Sequence, residues 1–328
     1  MKVIRFDRFG EPADVLRIEE REAPEPKRGE VLIRMIASPI NPSDLLVVRG
    51  RYGVLPQLPS TPGFEGVGFV EEAGPGLYGR FLKGRRVAVI NQAGGNWAER
   101  VTIPAIRAIP VSDDLPDEQV ASFFVNPCTV LAMIRHVLKV PKGAWVLQTA
   151  AGSSLGKMVI KLGRHDGFRT INVVRRTSAF DEIKELGGDV VISSADAPIA
   201  EQVARITGGS MVRYALDPVG GDTGTGVFDS LAADARMLVY GTLSGEPIRV
   251  DSRKMIAGKR VLEGFWLGYW MQSRSKIRSL GLFREVTKLI RAGVLSTPPG
   301  PRFPFEAVHA AAKASEATGK AGKVLLTF

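Results

Sequence analysis

The chain has 328 residues, 45% of them hydrophobic and 24% charged, ordinary values for a globular protein with room for about two domains. Its single cysteine, Cys128, excludes an internal disulfide and a cysteine-based zinc site. The formal net charge of +10 suits an anionic partner such as a nucleotide cofactor, coenzyme A, an acidic carrier protein or a nucleic acid, and it equally suits a solvated basic surface.

The Lys and Arg residues are dispersed, and a cluster such as Arg274, Lys276 and Arg278 is short. No apolar run approaches the roughly 20 residues of a membrane span. Residues 1–20 alternate charge with apolar side chains, so no secretory leader is expected in them. A cytoplasmic location and no membrane association are expected.

From the N-terminus, apolar or alternating runs at 3–6, 31–36, 66–71 and 86–90 predict short strands. Pro24, Pro26, Gly29, Pro39, Pro42, Gly74 and Gly84 punctuate them. The spacing over 114–138 predicts helix. Strands are then predicted at 144–148, 170–174, 190–192, 214–216 and 237–240, separated by helices at 155–162, 180–186, 200–206 and 227–231. Such alternation predicts a parallel sheet with crossover helices. A helix at 283–292 and a strand at 324–328 close the chain. The expected fold class is α/β: a β-rich domain over 1–122 with 271–328, and a Rossmann domain over 123–270.

The segment Ala144-Trp-Val-Leu-Gln-Thr-Ala-Ala-Gly-Ser-Ser-Leu-Gly156 runs from strand through small-residue turn to helix start. Small residues let a pyrophosphate approach the backbone, and the helix N-terminus supplies N–H groups and a positive dipole end. Gly152, Ser153 and Gly156 carry that reading. The turn is not a standard G-x-G-x-x-G, and a tight turn that binds nothing would look similar.

The next strand is more informative. Folds of this kind that bind NAD place an acidic residue about 20 positions after the turn, on the ribose 2′-hydroxyl. Here Thr170-Ile-Asn-Val-Val174 runs into Arg175-Arg176. Two arginines at the end of the second strand favour the 2′-phosphate of NADPH, although arginines that merely flank a strand would read alike.

These residues resemble the medium-chain dehydrogenase/reductase superfamily over essentially the whole chain. The segments Ser38-Pro-Ile-Asn-Pro-Ser-Asp44, Arg49-Gly-Arg-Tyr-Gly-Val-Leu-Pro56, Val125-Asn-Pro-Cys-Thr129, Thr170-Ile-Asn-Val-Val-Arg175 and Glu263-Gly-Phe-Trp-Leu-Gly-Tyr-Trp270 are similar to the 2-enoyl thioester reductases of mitochondria and bacteria, close to quinone oxidoreductases. The resemblance implies a GroES-like β-rich domain beside the Rossmann domain, and a homodimer joined at the sheet edge near Gly264 to Leu267. Zinc-bearing members place Cys where this chain has Asn41 and His where it has Phe64, beside Glu65. No metal is therefore expected. His136, His165 and His309 are scattered and match no ligand spacing.

The resemblance also implies NADPH contacts from Ala150, Leu155, Tyr240, Gly241, Phe265, Trp266, Leu267 and Lys323. It assigns Tyr52 as acid or enolate-stabilising donor, Asn41 as an orienting group, and Thr129 to a turn beside the nicotinamide. Without a Lewis acid, the expected reaction is hydride addition to the β-carbon of a trans-2-enoyl thioester carried on coenzyme A or acyl carrier protein. The thioester oxygen then gathers the charge and needs a donor. A phenol stays protonated at neutral pH and can donate. The alternatives are an NADPH quinone oxidoreductase and a non-catalytic nucleotide- or RNA-binding relative. No basic–aromatic stripe of the kind that reads single strands is present, so no nucleic acid is expected. Asp217, at the end of a Rossmann strand, reads as structural.

Overall fold

The computed structural model describes residues 1–91, 93–317 and 322–328. The chain divides into two units, Met1–Asn126 with Ser296–Phe328, and Pro127–Leu295.

The first unit is built on a seven-stranded sheet. Its central strands Glu30–Pro39, Glu65–Ala73 and Arg86–Ile90 pair antiparallel, and Arg100–Pro104 pairs back onto the first of them. The last strand of the chain, Leu325–Thr327, adds to Glu30–Pro39 antiparallel and so ties the C-terminus into this unit. Alternation decides what is buried. Val31, Ile33 and Met35 turn into one core with Val70, Leu82, Val87, Val89 and Ile103. A second core gathers Ile4, Phe6, Leu16, Leu45, Trp97, Phe305 and Val308.

The second unit carries six parallel strands: Trp145–Gln148, Arg169–Val174, Val190–Ser193, Val212–Asp217, Leu231–Val239 and Val261–Gly264. Numbered within the sheet, their order is 3-2-1-4-5-6, the doubly wound arrangement. The strand Arg169–Val174, buried at every position after Arg169, fits a sheet covered on both faces. The expected α/β class is observed.

Three expectations are corrected. Pro116 and Pro127 break the stretch expected as helix over 114–138 into Asp117–Ala121 and Val125–Leu131, followed by the π-helix Ala132–Leu138. The helix expected at 227–231 is Gly221–Asp229, its start disguised by Gly221, Gly224 and Gly226, and Leu231 already opens the next strand. The chain rejoins the first unit at Ser296 rather than at 271. The helix Lys276–Arg291 stays with the second unit, where Arg135 pairs with its Glu285 and also with Asp166. No helix among the described residues is long and apolar enough to cross a membrane.

Candidate active site

In the first unit the helix Pro42–Val48 starts directly after Asn41, with Pro42 at its first position. The Asp44 carboxylate accepts from the backbone N–H of Asn41 at 2.7 Å and of Phe64 at 3.0 Å, fixing the helix start to the strand entry at Glu65. Burial pushes the Asp44 carboxyl up to about 7, against the opposing pull of those two donors.

Glu65, 1% exposed, is the hub of a buried polar network. One of its oxygens accepts from the Asn41 amide and the Lys323 ammonium, each at 3.1 Å. The other accepts from the backbone N–H of Phe124 and Val125, each at 2.9 Å. A buried ionised carboxylate is tolerable only with such partners. The side-chain amide oxygen of Asn41 is buried with no hydrogen-bond partner among the described residues. Tyr52 lies in the loop after the helix, half-buried, its ring tilted against Phe64 at 5.4 Å between centroids. Tyr52, Asn41, Phe64 and Lys323 thus belong to one unit. Lys323, expected at the cofactor, has its ammonium committed to Glu65.

In the second unit the strand Trp145–Gln148 leads through a turn into the helix Ser154–Asp166. Ala150 adopts a left-handed φ of 49°, which reverses the chain. Ser153 caps the helix, its hydroxyl accepting from Gly156 N–H at 3.1 Å. Gly156 is required by close approach: a Cβ there would lie 2.6 Å from the Ala151 carbonyl oxygen. At Gly152 the same atom would meet nothing within 4 Å, so the turn is open to solvent above it.

This turn stands at the point where strand order reverses, between Trp145–Gln148 and Val212–Asp217. The Thr149 hydroxyl donates to Asp217 across that point. Asp217 also accepts from Val219 and Gly220 N–H, at 3.1 and 2.9 Å, and so shapes the neighbouring turn. Arg175 and Arg176 are exposed at the end of the second strand, with no carboxylate between Val174 and Thr177. An open glycine turn, a helix N-terminus and two cations are the elements that hold a phosphorylated dinucleotide.

The other expected positions fall as follows. Tyr240 donates its N–H to the Asp217 carbonyl, its hydroxyl is buried without a hydrogen-bond partner among the described residues, and burial pushes its pKa up. Gly241 packs against Pro218, where a Cβ would be 2.9 Å away. Phe265 and Leu267 are buried, and Trp266 between them meets Tyr269 edge-on at 4.4 Å. Thr129 is corrected: it lies buried within the helix Val125–Leu131, not in a turn. The sequence reading gave Glu65 no role beyond its position beside Phe64. A carboxylate at the head of the apolar stretch 66–70 was the signal available.

Two family models match: the alcohol dehydrogenase GroES-like domain over residues 27–113 and the zinc-binding dehydrogenase over 154–281. The human mitochondrial enoyl-[acyl-carrier-protein] reductase is 31% identical over 332 aligned residues, covering 100% of this chain and 89% of the human protein. Among solved structures, the Escherichia coli quinone oxidoreductase complexed with NADPH aligns with TM-score 0.92 and 25% identity, covering 100% of both chains. The Etr1p/NADP/crotonyl-CoA complex aligns with TM-score 0.85 and 25% identity, covering 100% of this chain and 99% of that one.

The chain belongs to the zinc-free branch of the medium-chain dehydrogenase/reductase superfamily. The superfamily's GroES-like domain corresponds to the first unit, and its Rossmann-like parallel sheet to the second. One matching model takes its name from zinc, yet this reductase carries Asn41 and Phe64 where the zinc-bearing members have Cys and His. Among its described residues no group of three His, Cys, Asp or Glu is arranged to hold a metal ion.

Proposed function

We propose that this reductase uses NADPH to saturate the carbon–carbon double bond of a trans-2-enoyl thioester. The observation that carries the reading is the full-length likeness to enoyl reductases combined with a Glu65 network built from Asn41 and Lys323 rather than metal ligands.

The second unit fits the cofactor. The open turn at Gly152 and the helix start at Ser154 would take the pyrophosphate. Arg175 and Arg176 would take the 2′-phosphate. Trp266 and Tyr240 would flank the nicotinamide half. When bound, NADPH supplies a hydride for the β-carbon of the substrate.

As that carbon is reduced, negative charge develops on the thioester oxygen. The Tyr52 phenol donates a hydrogen bond to the enolate oxygen and supports protonation of the α-carbon. Phe64 backs the Tyr52 ring and limits its rotation. Glu65, tied to Lys323 and two backbone N–H groups, holds the Asn41 amide. The Asn41 side-chain amide oxygen, with no hydrogen-bond partner among the described residues, is left to orient the cofactor or the substrate.

Reduction of crotonyl-CoA with NADPH deuterated at the transferred position tests this reading. Butyryl-CoA labelled at the β-carbon is expected. Failure to form a saturated acyl product would overturn it. The quinone reading stands second, favoured by the alignment with the E. coli quinone oxidoreductase. It predicts oxidation of NADPH by quinones alone.

A further inference from the structure

We infer that the first unit carries a docking surface for anionic lipid bilayers, centred on the helix Leu77–Leu82. This helix hides only Gly79 and Leu82. Its outer side presents Leu77, Tyr78 and Phe81 at 88%, 44% and 55% exposure. Beside it the turn Ala105–Arg107 adds Ile106 at 49%. Exposed large apolar groups occur singly on most proteins, so four on two adjoining turns call for an occupant. Tyr78 and Phe81 stack at 6.3 Å, which keeps both rings outward as one unit.

Five cations gather around this tip, and Glu30, the carboxylate beside Gly29, accepts from the Lys27 backbone N–H at 2.9 Å. Arg80 and Lys83 sit on or next to the helix. The Arg85 guanidinium lies over the Phe81 ring at 4.0 Å, and its Nε donates to the Phe81 carbonyl at 3.0 Å. Arg107 follows Ile106. Arg28 is held close because its neighbour Gly29 donates to the Pro75 carbonyl at 3.0 Å and accepts from Ala105 N–H at 2.9 Å. None of these five cations forms an ion pair with a carboxylate among the described residues. They are therefore available to phosphate headgroups.

An acidic protein is the competing occupant, and the size of the patch decides against it. A stable protein interface covers about 800 Å² per partner with 20–30 residues. Four apolar side chains on a projecting tip fall short of that. The same four suffice for interfacial binding, where leucine and phenylalanine enter the acyl boundary, tyrosine sits at headgroup depth and each nearby cation strengthens partitioning by roughly fivefold. This surface is independent of the reductase reading and uses none of its site residues.

Co-sedimentation of the full chain with vesicles tests the assignment. Binding is expected to vesicles with about a third phosphatidylglycerol, and little to pure phosphatidylcholine. The Leu77→Asp/Phe81→Asp pair should weaken partitioning by at least roughly tenfold, and Arg80→Glu/Lys83→Glu should do the same, with circular dichroism unchanged. Raised salt should release the wild type. Wild-type protein that stays in solution with the anionic vesicles would overturn the proposal, as would apolar-patch variants that sediment like wild type. Capture of an acidic protein on this patch without vesicle binding would overturn it in favour of the competing occupant.

Discussion

Glu65→Ala removes the acceptor shared by four donors in a site closed to water. Two of those donors are the backbone N–H groups of Phe124 and Val125, and a third is the Lys323 ammonium, whose side chain is 7% exposed. Breaking a buried ion pair by deleting one partner typically costs about 3–5 kcal/mol, because the other charge is left unpaired. Lys323→Met differs, since Glu65 keeps the Asn41 amide and both backbone donors. One charge-assisted hydrogen bond is lost there, about 2 kcal/mol. In the double variant no ammonium is stranded. The expected order of unfolding free energy in urea is therefore wild type above Lys323→Met, with Glu65→Ala lowest and the double variant above Glu65→Ala. Equal losses for the two single variants, or strict additivity in the double, would refute a network organised around Glu65.

Arg175→Ala and Arg176→Ala should each raise KM for NADPH about tenfold, the worth of one exposed charge-assisted phosphate contact of about 1.5 kcal/mol, while leaving NADH nearly unchanged. Steady-state kinetics with both cofactors would show this. Tyr52→Phe should keep NADPH affinity by fluorescence titration but lower turnover by about two orders of magnitude, as for a lost acid or oxyanion donor. Asp44 gives a pH dependence. Its carboxyl titrates near pH 7 folded, against about 3.9 unfolded, so between those values the native state holds the extra proton. Its contribution is thus full below about pH 4, falls as pH rises and levels off above about pH 7. Asp44→Asn should remove that slope from unfolding curves measured across the range.

The parallel sheet was legible because short segments rich in Val, Ile and Leu alternate with helical spacing, and the turn at Gly152 to Gly156 stood out by its small residues. The exposed placement of Arg175 and Arg176 at the end of the second strand was legible as well. The helix over Gly221–Asp229 was not, since three glycines carry no helical periodicity. Nor was the boundary at Ser296, which rests on Arg135 reaching Asp166 and Glu285 far along the chain. The Glu65 network escaped for the same reason. It joins Asn41, Glu65, Phe124 and Lys323, whose meeting depends on the C-terminal strand returning to Glu30–Pro39. Lys323 drew a cofactor role by likeness, and only the three-dimensional arrangement gave it a partner.

The central claim is NADPH-dependent reduction of an enoyl thioester. It is tested most directly by following loss of NADPH absorbance with crotonyl-, hexenoyl- and decenoyl-CoA beside a panel of quinones. The account predicts kcat/KM for at least one enoyl-CoA above that for every quinone by about tenfold or more, a difference of about 1.4 kcal/mol in transition-state binding. Turnover of quinones with no enoyl-CoA consumed would contradict it.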